Sequence, residues 1–401
     1  DFRGDKKTGA TQTPVYQSSA FEHASAETLE KIFNNKAPGF SYSRIGNPTV
    51  DAFERRMTAL EGGIASVSCA SGMAAITNAF TNILRSGDEI ICSASLYGGS
   101  IDLFRDLENF GIKTHYVENN NIEQFEAATN DNTRLYFAET IGNPRLDVTD
   151  IKLLSEAAHN AGVPLIIDNT VATAYLIKPI EYGADIVVNS TSKYVNGNSN
   201  SISGVITDSG NFKWDSVKYP GMKEYAKFGP YAYTAKLRNG IYRNTGACLS
   251  PQNAFYNILG IETLGLRMER ITDNALKLAE YLDTNYSFLN VNYPGLKSSE
   301  FHAIADKELN NGYGGIITIR TGSKENAFKF INALKLPLNV SNIGDTKTLV
   351  IHPGSTISAH STEEEKKIAG VFDDLVRISV GIEDIEDLIE DFTQAVEFIQ
   401  Q

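Results

Sequence analysis

Residues 163–194 read VPLIIDNTVATAYLIKPIEYGADIVVNSTSKY, and the fold turns on how this stretch is organised. It holds two short, continuous apolar runs. The first ends on Asp168-Asn169-Thr170 and the second on Asn189-Ser190-Thr191-Ser192-Lys193. Apolar runs of this length, closed by polar residues, predict buried strands, and the segment between them predicts one short helix. A strand–helix–strand unit is right-handed with parallel strands. Both polar ends therefore fall on the same edge of the sheet, where open α/β sheets bind ligands. Asp168 and Lys193 are placed to face one crevice.

The same alternation extends outward. VDAFERRMTALE at 50–61 has helical spacing, and a helix opening after Ser71-Gly72 is predicted to run to Gly87. DEIICSAS then reads as a strand, IDLFRDLENFG as a helix closed by Gly111, IKTHYV and RLYFAET as strands, and VTDIKLLSEAAHNAG as a helix. This pattern implies α/β architecture with a mostly parallel sheet. Residues 1–46 are polar with little periodicity and read as an extended arm. The character changes near Ser250-Pro251, where Ser suits an N-cap and Pro the first helical position. A single long helical run is expected through NAFYNILGIETLGLRMERITDNALKLAEYL, then a smaller α+β domain. Its last helix starts near Ile385 and sets Leu388, Ile389, Phe392, Val396 and Ile399 on one face. The expected division is an arm over 1–46, a large domain over 47–264 and a small C-terminal domain over 265–401.

Composition bounds the function. With 401 residues the chain is too long for one small core. Its net charge of -13 argues against a nucleic-acid partner, whose phosphates need cationic contacts. No apolar run reaches the ~18–20 residues of a membrane span, and no signal-peptide pattern follows Asp1. Cys69, Cys92 and Cys248 are scattered without a CxxC, which reads as reduced, cytoplasmic cysteine. The six histidines show no metal-ligand spacing. There is no P-loop and no GxGxxG opening a helix after a strand, so nucleoside-triphosphate and dinucleotide chemistry are unsupported.

Three segments carry the chemistry that remains. Lys193, flanked by Ser190 and Ser192 at a strand end, suits a pyridoxal phosphate (PLP) site: the amine forms a Schiff base, and the hydroxyls donate to the cofactor phosphate. The plainer reading of that motif alone is a polar loop with one solvated lysine. Asp168 ends a very apolar strand and needs a partner, because burying a lone carboxylate is costly. A pyridinium nitrogen is one such partner, and a helix cap is the other. Ala70-Ser71-Gly72-Met73-Ala74 precedes a helix whose free N–H groups offer an anion site, or simply a capped start.

At these residues the chain resembles the Cys/Met-metabolism (transsulfuration) PLP enzymes nearly end to end. The resemblance rests on YSRIGNPT at 42–49, ASGMAA at 70–75, SLYGG at 95–99, ETIGNP at 139–144, IIDNT at 166–170, STSKY at 190–194, SPQNAF at 250–255 and LVRISVGIED at 375–384. It implies an aspartate-aminotransferase-like (type I) PLP fold. It also implies Lys193 as Schiff-base lysine and proton shuttle, Asp168 as pyridinium partner, and Tyr97 as the ring-stacking aromatic that helps deprotonate the incoming amine. Gly72, Met73, Ser190 and Ser192 correspond to the phosphate cradle and Asn143 to the contact with the ring hydroxyl. Arg377 corresponds to the clamp on the substrate α-carboxylate, and Asn342 and Tyr42 to further substrate contacts. Tyr42 and Arg44 correspond to residues that reach a neighbouring subunit's cofactor, which implies shared sites in a homo-oligomer, a dimer of dimers. Taken singly, Tyr97 reads as a core tyrosine, Arg44 as a surface cation and Arg377 as a structural ion pair.

The chain departs from the family pattern at Ser192, usually Thr, at Gly197-Asn198-Ser199, usually Gly-His-Gly/Ser, and at Asn189, often His. The aromatic-rich stretch 208–236, together with GNPRLDVTDI, SPQNAF and NIGDTKTLVIHPGST, resembles the O-acetylhomoserine sulfhydrylase branch, and Gly99, often Cys in methionine γ-lyases, points the same way. The expected reaction is γ-replacement on an amino-acid ester with sulfide or methanethiol. A γ-lyase reaction is the alternative. A PLP-free interaction protein would lack Lys193, Asp168 or Arg377, and all three are present.

Overall fold

The computed structural model describes residue 5 and residues 8–400, so the outermost ends of the expected arm and last helix lie outside the described residues. Seven strands, β1 (Ala65–Cys69), β2 (Glu89–Ser93), β3 (Lys113–Val117), β4 (Thr133–Glu139), β5 (Leu165–Asp168), β6 (Ile186–Asn189) and β7 (Gly204–Asp208), form one sheet in the order β1-β7-β6-β5-β4-β2-β3. Pairing from β6 through β5, β4, β2 and β3 is parallel, whereas β7 runs antiparallel to both β1 and β6. The sheet is mostly parallel, as expected. Its strands are continuous apolar runs because helices cover both faces. Leu165, Ile166, Ile167, Ile186 and Val187 are all completely buried.

Helix α1 (Ala26–Phe33) lies within the arm, where the sequence reading expected none. Ser25 caps it by accepting from Thr28 N–H, and it buries no residue. The arm is tied down by Thr49, whose hydroxyl accepts from Tyr16 N–H at 2.9 Å and donates to Pro14 O at 2.8 Å. Helix α2 (Pro48–Glu61) starts on the Asn47 cap, and α3 (Gly72–Thr81) on the Ser71 cap. Contrary to expectation, α3 stops well before Gly87. The carbonyl of Asn82 is taken by Lys236 Nζ, and the Asn82 amide donates to Tyr233 O at 3.1 Å.

The long run after Ser250 is also divided, into helices Pro251–Glu262 and Leu264–Asn285. At the break Arg267 donates to Gly260 O at 2.7 Å and to Tyr194 O at 2.6 Å. Gly260 packs so closely on the backbone of Val195 that a Cβ there would lie 2.4 Å from its carbonyl oxygen. Beyond the break, β8 (Ile316–Arg320), β9 (Leu338–Asn339), β10 (Leu349–Ile351) and β11 (Leu375–Ser379) form a second sheet in the order β8-β11-β10-β9. The last helix, Ile385–Gln400, buries Leu388, Phe392 and Val396 against that sheet, with Ile385, Ile389 and Ile399 beside them, the face expected from its spacing.

The aromatic stretch 208–236 packs as a cluster. Trp214 stacks on Tyr233 with centroids 5.4 Å apart and meets Tyr219 edge-on at 5.2 Å. The hydroxyl of Tyr219 donates to Arg134 O at 2.8 Å and that of Tyr233 to Ala79 O at 3.0 Å. These aromatic side chains pack against the core, while much of the chain between them stays at the surface, with Val217 86% exposed. The stretch starts at Asp208, the end of the antiparallel strand, and so lies at the opposite edge from the carboxyl ends of β5 and β6.

Candidate active site

The carboxyl ends of the parallel strands converge on a cavity of about 410 Å³. Ser71, Gly72 and Met73 enter from the turn between β1 and α3, and Tyr97 from the loop after β2. Glu139 and Asn143 come from the end of β4 and its loop, Asp168 and Thr170 from the end of β5, and Ser190, Ser192 and Lys193 from the loop after β6. The second sheet closes the far side with Arg377 on β11 and with Asn342. Every site residue named from the sequence lines this cavity except Tyr42 and Arg44. Tyr42 is 43% exposed. Arg44 lies over the Tyr42 ring at 5.5 Å and donates to Arg243 O at 2.7 Å.

Lys193 is held by Asn342, whose side-chain oxygen accepts from Nζ at 2.5 Å. Burial, then the positive charge of Arg377, pulls the Lys193 amine down to about 8. A neutral, nucleophilic amine is thus accessible near neutral pH. Arg377 is itself buried and pulled down to about 10 by desolvation. Its Nη1 donates to Asn143 Oδ1 and its Nη2 to Asn342 O, both at 3.1 Å, while its buried Nε has no partner. A buried, unmatched guanidinium donor beside a cavity fits a carboxylate ligand. Asn342 thus touches both cations, and its amide nitrogen donates to Ser199 Oγ at 2.9 Å. Ser199 in turn hydrogen-bonds Asp345.

Across the cavity, Asp168 Oδ1 accepts from Thr170 N–H at 2.9 Å. Burial pushes its carboxyl up, and the hydrogen bonds from Thr170 pull it back. Among the described residues no lysine or arginine forms an ion pair with it. Glu139, to which the sequence reading gave no role, also lines the cavity. Burial and then the charge of Asp168 push it well above the usual carboxylate range. Its Oε1 accepts from Tyr97 N–H at 2.6 Å, fixing the backbone of the aromatic residue. The Tyr97 ring lies close over Gly99, where a Cβ would sit 2.5 Å from the ring. The signal for Glu139 was its place at the head of ETIGNP, one strand end over from Asp168.

These residues fit pyridoxal phosphate. Ser71 satisfies Ala74 N–H, so Gly72 and Met73 keep first-turn N–H groups without intrahelical acceptors, as an anion cradle requires. Gly72 is needed there, because a Cβ would lie 2.6 Å from that of Ser190. Ser192 is less free than expected, since its hydroxyl donates to Ser203 O at 3.0 Å and accepts from Ser203 N–H at 2.8 Å. Asp168 offers an anion without a cation, and Lys193 an amine at reach of the same space.

Comparison with known proteins agrees with this geometry. The family model described as Cys/Met metabolism PLP-dependent enzyme matches residues 1–397. The O-acetyl-L-homoserine sulfhydrylase of Corynebacterium glutamicum is 44% identical over 405 residues, covering 96% of this chain and 92% of that protein. The homocysteine synthase of Schizosaccharomyces pombe is 40% identical, with 98% and 95% covered. Among solved structures, a candidate O-acetylhomoserine (thiol)-lyase from Campylobacter jejuni, carrying a pyridoxyl-lysine phosphate, superposes with a TM-score of 0.95 at 31% identity, with 99% and 97% covered. The cystathionine γ-lyase of Lactobacillus plantarum superposes at 0.87 and 30% identity, with 100% and 97% covered. The fold, the cavity and these matches lead to one conclusion: the chain belongs to the PLP-dependent enzymes of Cys/Met metabolism.

Proposed function

We propose that this chain catalyses a γ-replacement in which O-acetyl-L-homoserine and sulfide give homocysteine and acetate, or methanethiol gives methionine and acetate. The observation that carries the reading is that Lys193, Asp168 and Arg377 meet in one cavity, in a chain closely similar to sulfhydrylases that act on this ester. When bound, PLP supplies an electron sink for negative charge at the substrate α-carbon. Asp168 would hold the proton on the ring nitrogen, and Gly72, Met73 and Ser190 would hold the phosphate. Arg377, with a free Nε, binds the substrate carboxylate and so orients the carbon chain. Lys193 Nζ, kept beside Asn342 and able to titrate near neutral pH, carries protons between substrate carbons. Tyr97 would cover the ring, with Glu139 steadying its backbone.

The arm, residues 1–46, is assigned to contact with a neighbouring subunit, the large domain to 47–264 and the small domain to 265–401. That Tyr42 and Arg44 sit outside their own subunit's cavity supports active sites shared in a homo-oligomer. We also assign the protein to the cytoplasm. No helix among the described residues is long and apolar enough to cross a membrane.

The test is an absorbance spectrum of the purified protein before and after O-acetylhomoserine and sulfide, with product analysis. A visible cofactor band that shifts on mixing, with homocysteine and acetate formed, is expected. Ketobutyrate as the main product would move the reading to γ-elimination. Absence of the band after added PLP would overturn it.

A further inference from the structure

Behind the cavity wall lies a carboxylate that the reaction above does not use. Glu61 is the last residue of α2 and is completely buried. Its Oε1 accepts from the Asn189 amide at 2.8 Å, and its two oxygens lie 3.5 and 3.4 Å from the Asn169 amide. Those two asparagines are not incidental. Asn169 follows Asp168 directly, and Asn189 ends β6 one residue before Ser190. Asn169 N–H also donates to Val188 O at 2.9 Å, and its side-chain oxygen accepts from Thr140 at 2.8 Å. Glu61 thus binds the two strand ends that carry the ring-nitrogen partner and the phosphate-binding loop.

We propose that Glu61 is a positioning residue for the cofactor: through Asn169 and Asn189 it locks the ends of β5 and β6 together, and its negative charge, when present, strengthens the hold of Asp168 on the ring-nitrogen proton. The inference rests on the reading of Asp168 as that partner. The charge is conditional. Burial lifts the Glu61 carboxyl to about 7, while the amides of Asn189 and Asn169 and the charge of Lys178 pull it back and that of Asp168 adds to the rise. Among the described residues no cation forms an ion pair with it. Of the elements packed on α2, β1 and β7 present the hydroxyls of Ser66 and Thr207, bonded to each other at 2.9 Å. Glu54 is matched by Arg238, and helix Pro251–Glu262 offers Glu262, which pairs with Arg56 at 3.3 Å. Lys178 and Asp168 are therefore the charges that govern Glu61.

Below neutral pH Glu61 is uncharged, so its electrostatic contribution belongs to the alkaline half of the pH range. A purely structural contact would matter equally in both halves. The test uses Glu61→Gln, which keeps the shape and removes the charge. Two quantities are followed from about pH 6 to 9: the affinity of the cofactor-free protein for PLP, and the pH titration of the visible band of the holoenzyme. The expected ratio of variant to wild-type affinity is close to one at the acid end. At the alkaline end the variant is weaker by about threefold to tenfold, the effect of one neighbouring charge shifting a pKa by half to one unit. A ratio that is the same at every pH would overturn the proposal. If Glu61→Gln does not fold, Lys178→Ala decides. Lys178 is 40% exposed and among the described residues pairs only with Glu181. Its removal should move the wild-type step to higher pH, and an unmoved step sinks the idea. A wild-type protein that binds no PLP would instead remove the reading of Asp168 on which the inference rests.

Discussion

The two edges of the large sheet each hold a buried aspartate and a depressed lysine, yet we propose a site at one edge and not at the other. At the cavity edge these are Asp168 and Lys193. At the other edge, Asp208 ends β7, burial raises its carboxyl to about 7, and one of its oxygens has no partner. At the turn that leads into β5, Lys218 is lowered by desolvation and donates to Ala161 O at 2.9 Å. Burial and a shifted pKa are therefore shared by both edges and do not separate function from packing. What separates them is strand direction. Parallel strands send their following loops to one edge and open a crevice there. Asp208 ends the one antiparallel strand among them, and the aromatic cluster of Trp214, Tyr219 and Tyr233 fills the space beside it.

The hardest way to break this comparison is through the lysines. Lys193→Ala should lower turnover on the order of a thousandfold or more and abolish the visible cofactor band. Lys218→Ala should leave turnover within about twofold, because its loss only vacates a carbonyl contact. Equal losses in steady-state rate would mean that edge position is the wrong criterion.

The aspartates give the next largest contrast. Asp168→Asn should lower kcat on the order of a hundredfold, through loss of the anion we propose keeps the ring nitrogen protonated. Asp208→Asn should leave kcat alone and act on stability. The Asp208 carboxyl titrates higher in the folded chain than in the unfolded one, so its stabilising effect is full below about pH 4 and is lost as pH rises through about 7. Denaturation followed from pH 5 to pH 8 should therefore decline less for Asp208→Asn than for wild type, by about 1 kcal/mol or more. Parallel curves would show that Asp208 does not titrate in that window.

The contrast also shows what a sequence can reveal. Asp168 and Lys193 were legible because each closes an apolar strand on either side of one short helix, a purely local pattern. Arg377 and Tyr97 were legible only by resemblance, since a single cation or aromatic in a strand or loop has no periodic signature. Glu61 was not legible at all. Its partners lie 108 and 128 residues away, and they are amides that carry no charge pattern. The packing of stretch 208–236 was not legible for a similar reason. Its aromatic content suits a substrate wall as well as a core. The choice depends on β7 turning antiparallel, because no helix separates it from β6 to force a crossover. The early stop of α3 and the break at Thr263 came from tertiary partners, Lys236 and Arg267, that helical spacing does not register.

Arg377 sharpens the comparison from the substrate side. Arg377→Lys keeps the charge but loses the planar donor pair and the free Nε. It should raise KM for O-acetylhomoserine and lower kcat/KM by about tenfold to a hundredfold, with a smaller change in kcat. A change confined to kcat would place Arg377 away from the carboxylate.

The smallest effect on catalysis is expected at the packed edge, and it tests that edge on its own terms. Trp214 lies between Tyr233, stacked at 5.4 Å, and Phe212, edge-on at 4.7 Å. Truncation to alanine removes these contacts and the edge-on one with Tyr219, and leaves space that Tyr219 and Tyr233 cannot refill without breaking their hydrogen bonds to Arg134 O and Ala79 O. Trp214→Ala should destabilise the protein by about 2 kcal/mol or more. Turnover per folded molecule and KM should stay within about twofold of wild type, because no aromatic of this cluster lines the cavity. A shift in the preference between sulfide and methanethiol would reverse the assignment, because substrate choice would then reach through the sheet from the edge that strand direction leaves closed.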